Sequence, residues 1–230
     1  MNKYIPITKD QLEQAGYIHS SQYAFALEMA VVPIIKEEIG AAVGQMCLAF
    51  QKRREAEREI FELIAIQSLL PKKNMFVLPD GRWIQGYRPV FYRAYPFALI
   101  PANTASDAVN KQDSSKIQLT LAIASSAIKE NPESNDLRFY SASGEISEQL
   151  QEVMRFLTES LKSRQDTLHC CEILSQYGLI EPWPVEFTSK NNEGKLIKQK
   201  MGGLYKINEE ALKLLAPEKL EKLNQLDALK

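Results

Sequence analysis

Asn74–Pro101 reads NMFVLPDGRWIQGYRPVFYRAYPFALIP, and three kinds of local structure follow one another in it. Met75–Leu78 is a short apolar run. Pro79-Asp80-Gly81 supplies turn chemistry, because proline fixes φ and glycine tolerates a positive φ. Trp83 and Ile84 begin the return, so Met75–Ile84 reads as a hairpin. Arg88–Tyr95 reads as one short helix, with Pro89 at a first helical position, where its missing N–H costs nothing. Phe97–Ile100 reads as a strand again. The same stretch packs Phe76, Trp83, Tyr87, Phe91, Tyr92, Tyr95 and Phe97 around Asp80, Arg82, Arg88 and Arg93. Aromatic rings bury large areas, while a buried guanidinium must find a partner. The stretch is therefore either an ordered core or the wall of a binding site.

Upstream, Tyr23–Val43 carries Ala24, Leu27, Met29, Val31, Ile34, Ile35 and Ile39 at roughly helical spacing. It reads as helix, with Pro33 as a new start and Glu37 and Glu38 near the beginning. Met46–Gln51 and Glu59–Leu69 read as a strand pair, the second through Ile60, Leu63 and Ala65. The charged KRREAERE between them is then a solvated connection, and a helix across it is the competing reading.

Downstream, the loop composition NTASDAVNKQDSSK separates Phe97–Ile100 from a further strand at Ile117–Ile123, and a second loop, KENPESND, precedes Leu137–Tyr140. Ile146, Leu150, Val153, Leu157, Leu161, Leu168, Cys171 and Leu174 then follow three- and four-residue steps. They predict one helix of about thirty residues, with Gly178 just past its end and a break expected near Ser163–Arg164. Pro182-Trp183-Pro184 ends anything helical. Val185–Thr188 and Leu196–Ile207 flank the turn SKNNEGK as a last hairpin, and Glu209–Ala216 and Pro217–Leu229 close the chain as short helices. Strands run ahead of helices, which argues against a doubly wound parallel sheet. The reading is an α+β chain: an antiparallel or mixed sheet from the first two thirds, packed by the long helix and short terminal helices, as a single domain over residues 1–230.

Composition narrows the function classes. The net charge of −1 offers no basic field to nucleic acid or anionic lipid. The N-terminal sequence has no secretory pattern, and Ala24–Ile35, broken by Glu28 and Pro33, is too short to span a bilayer. Three cysteines, two of them adjacent, suggest reduced thiols in a cytoplasm.

NMFVLPDGRWIQGY (Asn74–Tyr87), RAYPFAL (Arg93–Leu99), GLIEPWPVEF (Gly178–Phe187) and GGLYKINEEAL (Gly202–Leu212), with the early YAFALEMAVVPIIKEE, resemble the SapC-like family of bacterial proteins. The motifs occur in the family's order over most of the chain. The departures are LAIASSAI (Leu121–Ile128), where an acidic segment is usual, and a short C-terminal end. The family takes its name from surface-layer operons, so the resemblance implies an intracellular accessory role in making or exporting surface proteins. It carries over no catalytic residues.

His169-Cys170-Cys171 looks like a metal or thiol site. A structural zinc needs four converging ligands, and the remaining candidates are Cys47 and His19. Cys171 falls on the apolar stripe, so the triplet reads as buried thiols beside a surface histidine. Two histidines and no G-x-S-x-G leave no hydrolase constellation. Gly202-Gly203 lacks the Lys-Ser/Thr of a phosphate loop and reads as a bulge or turn. No metal or dinucleotide cofactor is expected.

The candidate binding residues are Asp80, Trp83, Tyr87, Arg88, Arg93 and Tyr95 beside the Pro79–Gly81 turn, with Trp183 as a neighbour. Internal carboxylates for these arginines are Asp80 and Glu181. Arg93, embedded among aromatics, is expected to pair with a buried carboxylate, and Arg88, at the helix entrance, to face a ligand. The function expected is a non-enzymatic accessory protein binding a peptide or protein partner of the envelope or its export machinery. The alternative is a metal-independent enzyme acting on a peptide or small carboxylate. A structural subunit of a surface lattice is a third reading, opposed by the missing signal sequence.

Overall fold

A computed structural model describes residues 3–18, 22–55, 58–84, 86–102, 118–133, 136–190 and 193–229. His19, Ala56-Glu57 and the loop expected at 103–116 lie outside them. The chain begins with β1 (Tyr4–Pro6), α1 (Lys9–Leu12) and β2 (Gly16–Tyr17), followed by β3 (Val31–Pro33) and α2 (Ile39–Ala42). The long pair β4 (Cys47–Glu55) and β5 (Arg58–Ile66) comes next, then α3 (Val90–Arg93), β6 (Phe97–Pro101) and β7 (Leu119–Ala124). β8 (Ile128–Lys129) and β9 (Leu137–Arg138) precede α4 (Glu148–Gln176). The last part holds β10 (Ile180–Pro182), β11 (Val185–Lys190), β12 (Leu196–Met201), β13 (Leu204–Ile207), α5 (Glu209–Lys213) and α6 (Pro217–Gln225).

Every strand pair among the described residues is antiparallel, the first of the two arrangements expected, antiparallel or mixed. A five-stranded sheet runs β10-β13-β4-β5-β3, a three-stranded sheet β1-β7-β6, and a small one β8-β2-β9. The strand pair β4–β5 forms as expected, but it is longer. Lys52–Glu55 belong to the ladder and pair as far as Glu55↔Arg58, so most of the charged run is strand.

The α4 helix joins the two larger sheets. Its first half puts Leu150 and Leu157 against Phe97, Leu121, Ile123 and Phe139. Its second half puts Cys171, Ile173 and Leu174 against Phe50, Leu63 and Ala65 of the five-stranded sheet. A 29-residue helix is about 43 Å long, enough to reach both. Burial pushes the Cys171 thiol up to about 12, so it behaves as a small apolar side chain. His169 beside it is exposed.

The break expected at Ser163–Arg164 is absent: α4 is continuous there. Arg164 and, one turn on, Thr167 are tertiary anchors instead. Arg164 Nη2 donates to Glu62 Oε1 at 2.6 Å, and Thr167 Oγ1 accepts from the Lys36 N–H at 2.9 Å. No helix among the described residues is long and apolar enough to cross a membrane.

The helix expected over Tyr23–Val43 is also not formed. That segment divides into a 3-10 turn at Ala24–Ala26, β3, a second such turn at Lys36–Glu38 and the short α2. Val31, Val32 and Pro33 pair with Ile66, Ala65 and Ile64 at the sheet edge. The ladder offered by β5 outweighs a weak helical preference in residues such as Val31 and Val32, which suit a pleated strand better.

Candidate functional site

The Pro79-Asp80-Gly81 turn closes a hairpin, as its residues predict. Val77 and Trp83 form the bridge, and the Leu78 N–H donates to Arg82 O at 2.8 Å. Asp80 lies at the tip, where it accepts from the Arg82 N–H at 3.1 Å and from Arg82 Nε at 2.7 Å. These two bonds hold its carboxyl below the usual carboxylate range. Asp80 is thus engaged with its own turn. The turn docks on the start of the chain, the Tyr23 N–H donating to Gly81 O at 2.6 Å.

Behind the hairpin the rings interlock. Trp83 meets Tyr23 edge-on at 5.7 Å, stacks on Phe76 at 5.6 Å and meets Tyr92 at 5.7 Å. Phe25 touches Tyr92 and stacks face to face on Tyr95 at 3.9 Å. Tyr92 is 1% exposed; its hydroxyl donates to Gln67 Oε1. Asn74 Nδ2 donates to the same oxygen and to Ala26 O, both at 3.1 Å. Most of the aromatic content is therefore core, and Gln67 and Asn74 are its polar hub. Neither residue stood out in the sequence, because a lone amide has no spacing that marks it as buried.

The residue that sequence reasoning missed most completely is Glu38, 3% exposed. Its Oε1 accepts from the Tyr87 hydroxyl at 2.6 Å and from the Val90 N–H at 2.7 Å, and its Oε2 from the Ile35 N–H at 2.9 Å. A buried carboxylate needs such donors. One of them is the first N–H of α3, so Glu38 caps that helix from a distant segment while Pro89 sits at the N-cap position. Glu37, its neighbour, is exposed; nothing in the sequence says which of the two turns inward.

Gly86 allows the approach. Its φ is +86°, and a Cβ there would lie 1.8 Å from Gln45 Oε1, the atom that accepts the Tyr87 N–H at 2.6 Å. Burial, reinforced by the bond to Glu38, raises the Tyr87 hydroxyl from the ordinary 10 to about 12. A proton held more tightly in the folded state contributes stability fully below pH 10, and that contribution is lost as pH rises through about 12. Tyr87→Phe should flatten the loss of stability over that window in alkaline unfolding followed by circular dichroism. An unchanged profile in the variant would show that Tyr87 titrates as a free phenol.

Arg93 does not occupy the place expected of it. Arg93 is exposed and meets no buried carboxylate directly: Nη2 reaches the Tyr87 hydroxyl at 3.4 Å. Its guanidinium lies 5.8 Å from the Tyr87 ring and 5.6 Å from that of Phe156 on α4. Glu38 is already satisfied by a phenol and two backbone amides, so no charge pair is needed. Arg88, also exposed, donates to the Tyr23 hydroxyl at 2.7 Å and lies 5.8 Å from that ring. Glu181, the other carboxylate considered, pairs with Lys206. Trp183 is elsewhere: it packs on Ala49, Ile64, Ile66 and Leu204. These alternate along β4 and β5 with Phe50, Leu63 and Ala65, so Trp183 lies on the sheet face opposite the aromatic cluster.

The structure thus brings Trp83, Arg88 and Tyr95 together around Tyr23 and Phe25, and Tyr87 and Arg93 around Glu38. The surface left by these contacts is the outer side of Arg88–Tyr95, with Phe91 52% exposed between the two arginines. Among the described residues, no group of three or more His, Cys, Asp or Glu is placed to hold a metal ion. The family model described as SapC matches residues 7–230. No curated protein and no solved structure matches the chain.

Proposed function

The chain belongs to the SapC family, and on that premise we propose that it is a cytoplasmic, non-enzymatic accessory protein that binds a peptide or protein partner of the cell envelope or its export machinery. The observation that carries the reading is the pair Arg88 and Arg93. Both guanidiniums are exposed, each is seated against a tyrosine, and neither has a carboxylate within ion-pair distance among the described residues. A cation so placed is available to carboxylates and carbonyls of a bound segment. Phe91 between them adds apolar contact area, and aromatic and arginine side chains are the ones that dominate binding surfaces.

The enzymatic alternative calls for a titratable group with a displaced pKa facing a cavity. Tyr87, Tyr92 and Cys171 are displaced upward chiefly by burial. None of them lines the open groove of about 590 Å³ between the β4–β5 hairpin and α4; Lys52, which does line it, is raised by its exposed pair with Glu59.

The test is affinity purification from the native cell with wild type and with the Arg88→Ala/Arg93→Ala variant. Export or surface components should be recovered with the first and lost with the second. Each single substitution should cost no more than about 1 kcal/mol of stability, as for exposed side chains without a buried charge to strand. Turnover of a metabolite by the purified protein, with no partner recovered, would overturn the reading. A large fall in melting temperature for Arg93→Ala would instead restore a structural role to that residue.

A further inference from the structure

The β11–β12 pair stands apart from the rest of the sheet. Pro182-Trp183-Pro184 interrupts one strand and Gly202-Gly203 the other, so β10–β13 and β11–β12 are two lengths of one long hairpin separated by a bend. Its base is anchored through Val185 and Met201 packed with Trp183 near Ile64 and Ile66. From Val185↔Met201 to Lys190↔Leu196 the strands pair with each other, and neither has another ladder partner among the described residues. A lone two-stranded ribbon is marginal in water. Its outer edges present unpaired backbone groups, a template for a further strand.

We propose that the β11 edge pairs antiparallel with the β11 edge of a second copy of this chain, about a two-fold axis at Thr188, so that two ribbons make a four-stranded sheet. Charge selects this arrangement. In this register Glu186 lies opposite Lys190 of the second copy, Lys190 opposite its Glu186, and Thr188 opposite itself. Opposite charges and Thr–Thr pairs are favourable across strands. Lys190 has no ion-pair partner among the described residues, while Glu186 meets only Lys200 of its own ribbon, at 2.8 Å. Phe187 lies opposite Ser189, which keeps the apolar residues of both copies on one face. The β12 edge cannot do the same: Leu196–Met201 contains Lys198 and Lys200 and no acidic residue. A β11–β12 pairing between copies would not close, whereas the two-fold does. The two-fold also sets the bulk of each copy at opposite ends of the joined ribbons.

Two experiments on the full chain decide it. In a Cys47→Ser background, which removes the exposed thiol and leaves the two buried ones, Thr188→Cys should form a disulfide-linked dimer on mild oxidation. Residues facing each other across an antiparallel pair are within disulfide reach. Glu186→Cys should not, because its two copies are offset by about 13 Å along the strands. In sedimentation velocity, wild type should dimerise and Glu186→Lys should raise the dimer Kd about tenfold or more, since it turns both cross-strand ion pairs into repulsions. Adding Lys190→Glu should restore the dimer. Melting curves identify any variant that fails to fold, and Lys190→Glu alone, which sets a like charge opposite Glu186 of the second copy, is the replacement for it. A chain that is monomeric at every concentration overturns the proposal and leaves the ribbon to a strand of another protein. A dimer unaffected by Glu186→Lys, or cross-linked by Glu186→Cys and not by Thr188→Cys, overturns it as well.

Discussion

Glu38→Ala is expected to lower stability by about 3–5 kcal/mol, because it leaves the Tyr87 hydroxyl and the Val90 and Ile35 N–H groups without their acceptor inside the protein. For a chain of this length that is a fall on the order of 10 °C in melting temperature. The carboxylate links three segments: the turn that starts α2, the hairpin exit at Tyr87, and the first N–H of α3. Its loss should therefore be felt at the proposed binding surface too, since Arg93 rests on Tyr87. Glu38→Gln keeps the shape and one carbonyl acceptor but turns an amide N–H₂ toward a donor, and should cost about 1–2 kcal/mol. Thermal melts of both variants, with partner recovery measured in parallel, check the ordering. Glu38→Ala melting with wild type would mean that water replaces the carboxylate and that Glu38 organises nothing.

Tyr92→Ala should cost a similar amount, about 3–5 kcal/mol, through the cavity left by a fully buried ring. That ring touches Phe25, Trp83 and Phe91, so its removal undoes the packing that holds the hairpin, α3 and the start of the chain together. Tyr92→Phe separates the ring from its hydroxyl. Gln67 Oε1 then keeps only Asn74 as donor, at a cost of about 1 kcal/mol. Chemical denaturation of the pair measures the two contributions. If Tyr92→Phe were as damaging as Tyr92→Ala, the Gln67–Asn74–Tyr92 network and not the aromatic packing would be holding the cluster.

Where structure is set by neighbours in the chain, the sequence alone determined it. The turn at Pro79–Gly81 was legible because proline and glycine restrict φ locally. The periodicity of Leu150, Val153, Leu157, Cys171 and Leu174 marked α4, because one face of a helix samples the sequence at a constant interval. The strand pair β4–β5 was legible from its apolar alternation and short connection. What decides the candidate site is contact between segments far apart in sequence, and no local pattern encodes that. Whether Val31–Pro33 is helix or strand depends on β5 lying beside it. Whether Glu37 or Glu38 is buried depends on Tyr87 and Val90, some fifty positions away. Arg93 looked buried because its neighbours in sequence are aromatic, yet Tyr92 turns inward toward Gln67 and Trp83 while the Arg93 side chain lies over Tyr87 and Phe156, exposed. Trp183 shares its composition with the cluster but sits on the other face of the five-stranded sheet, because side chains alternate along a strand and register assigns the face. The sequence thus determined which residues are rich in contact area and charge; the tertiary structure decided which of them face one another and which face solvent.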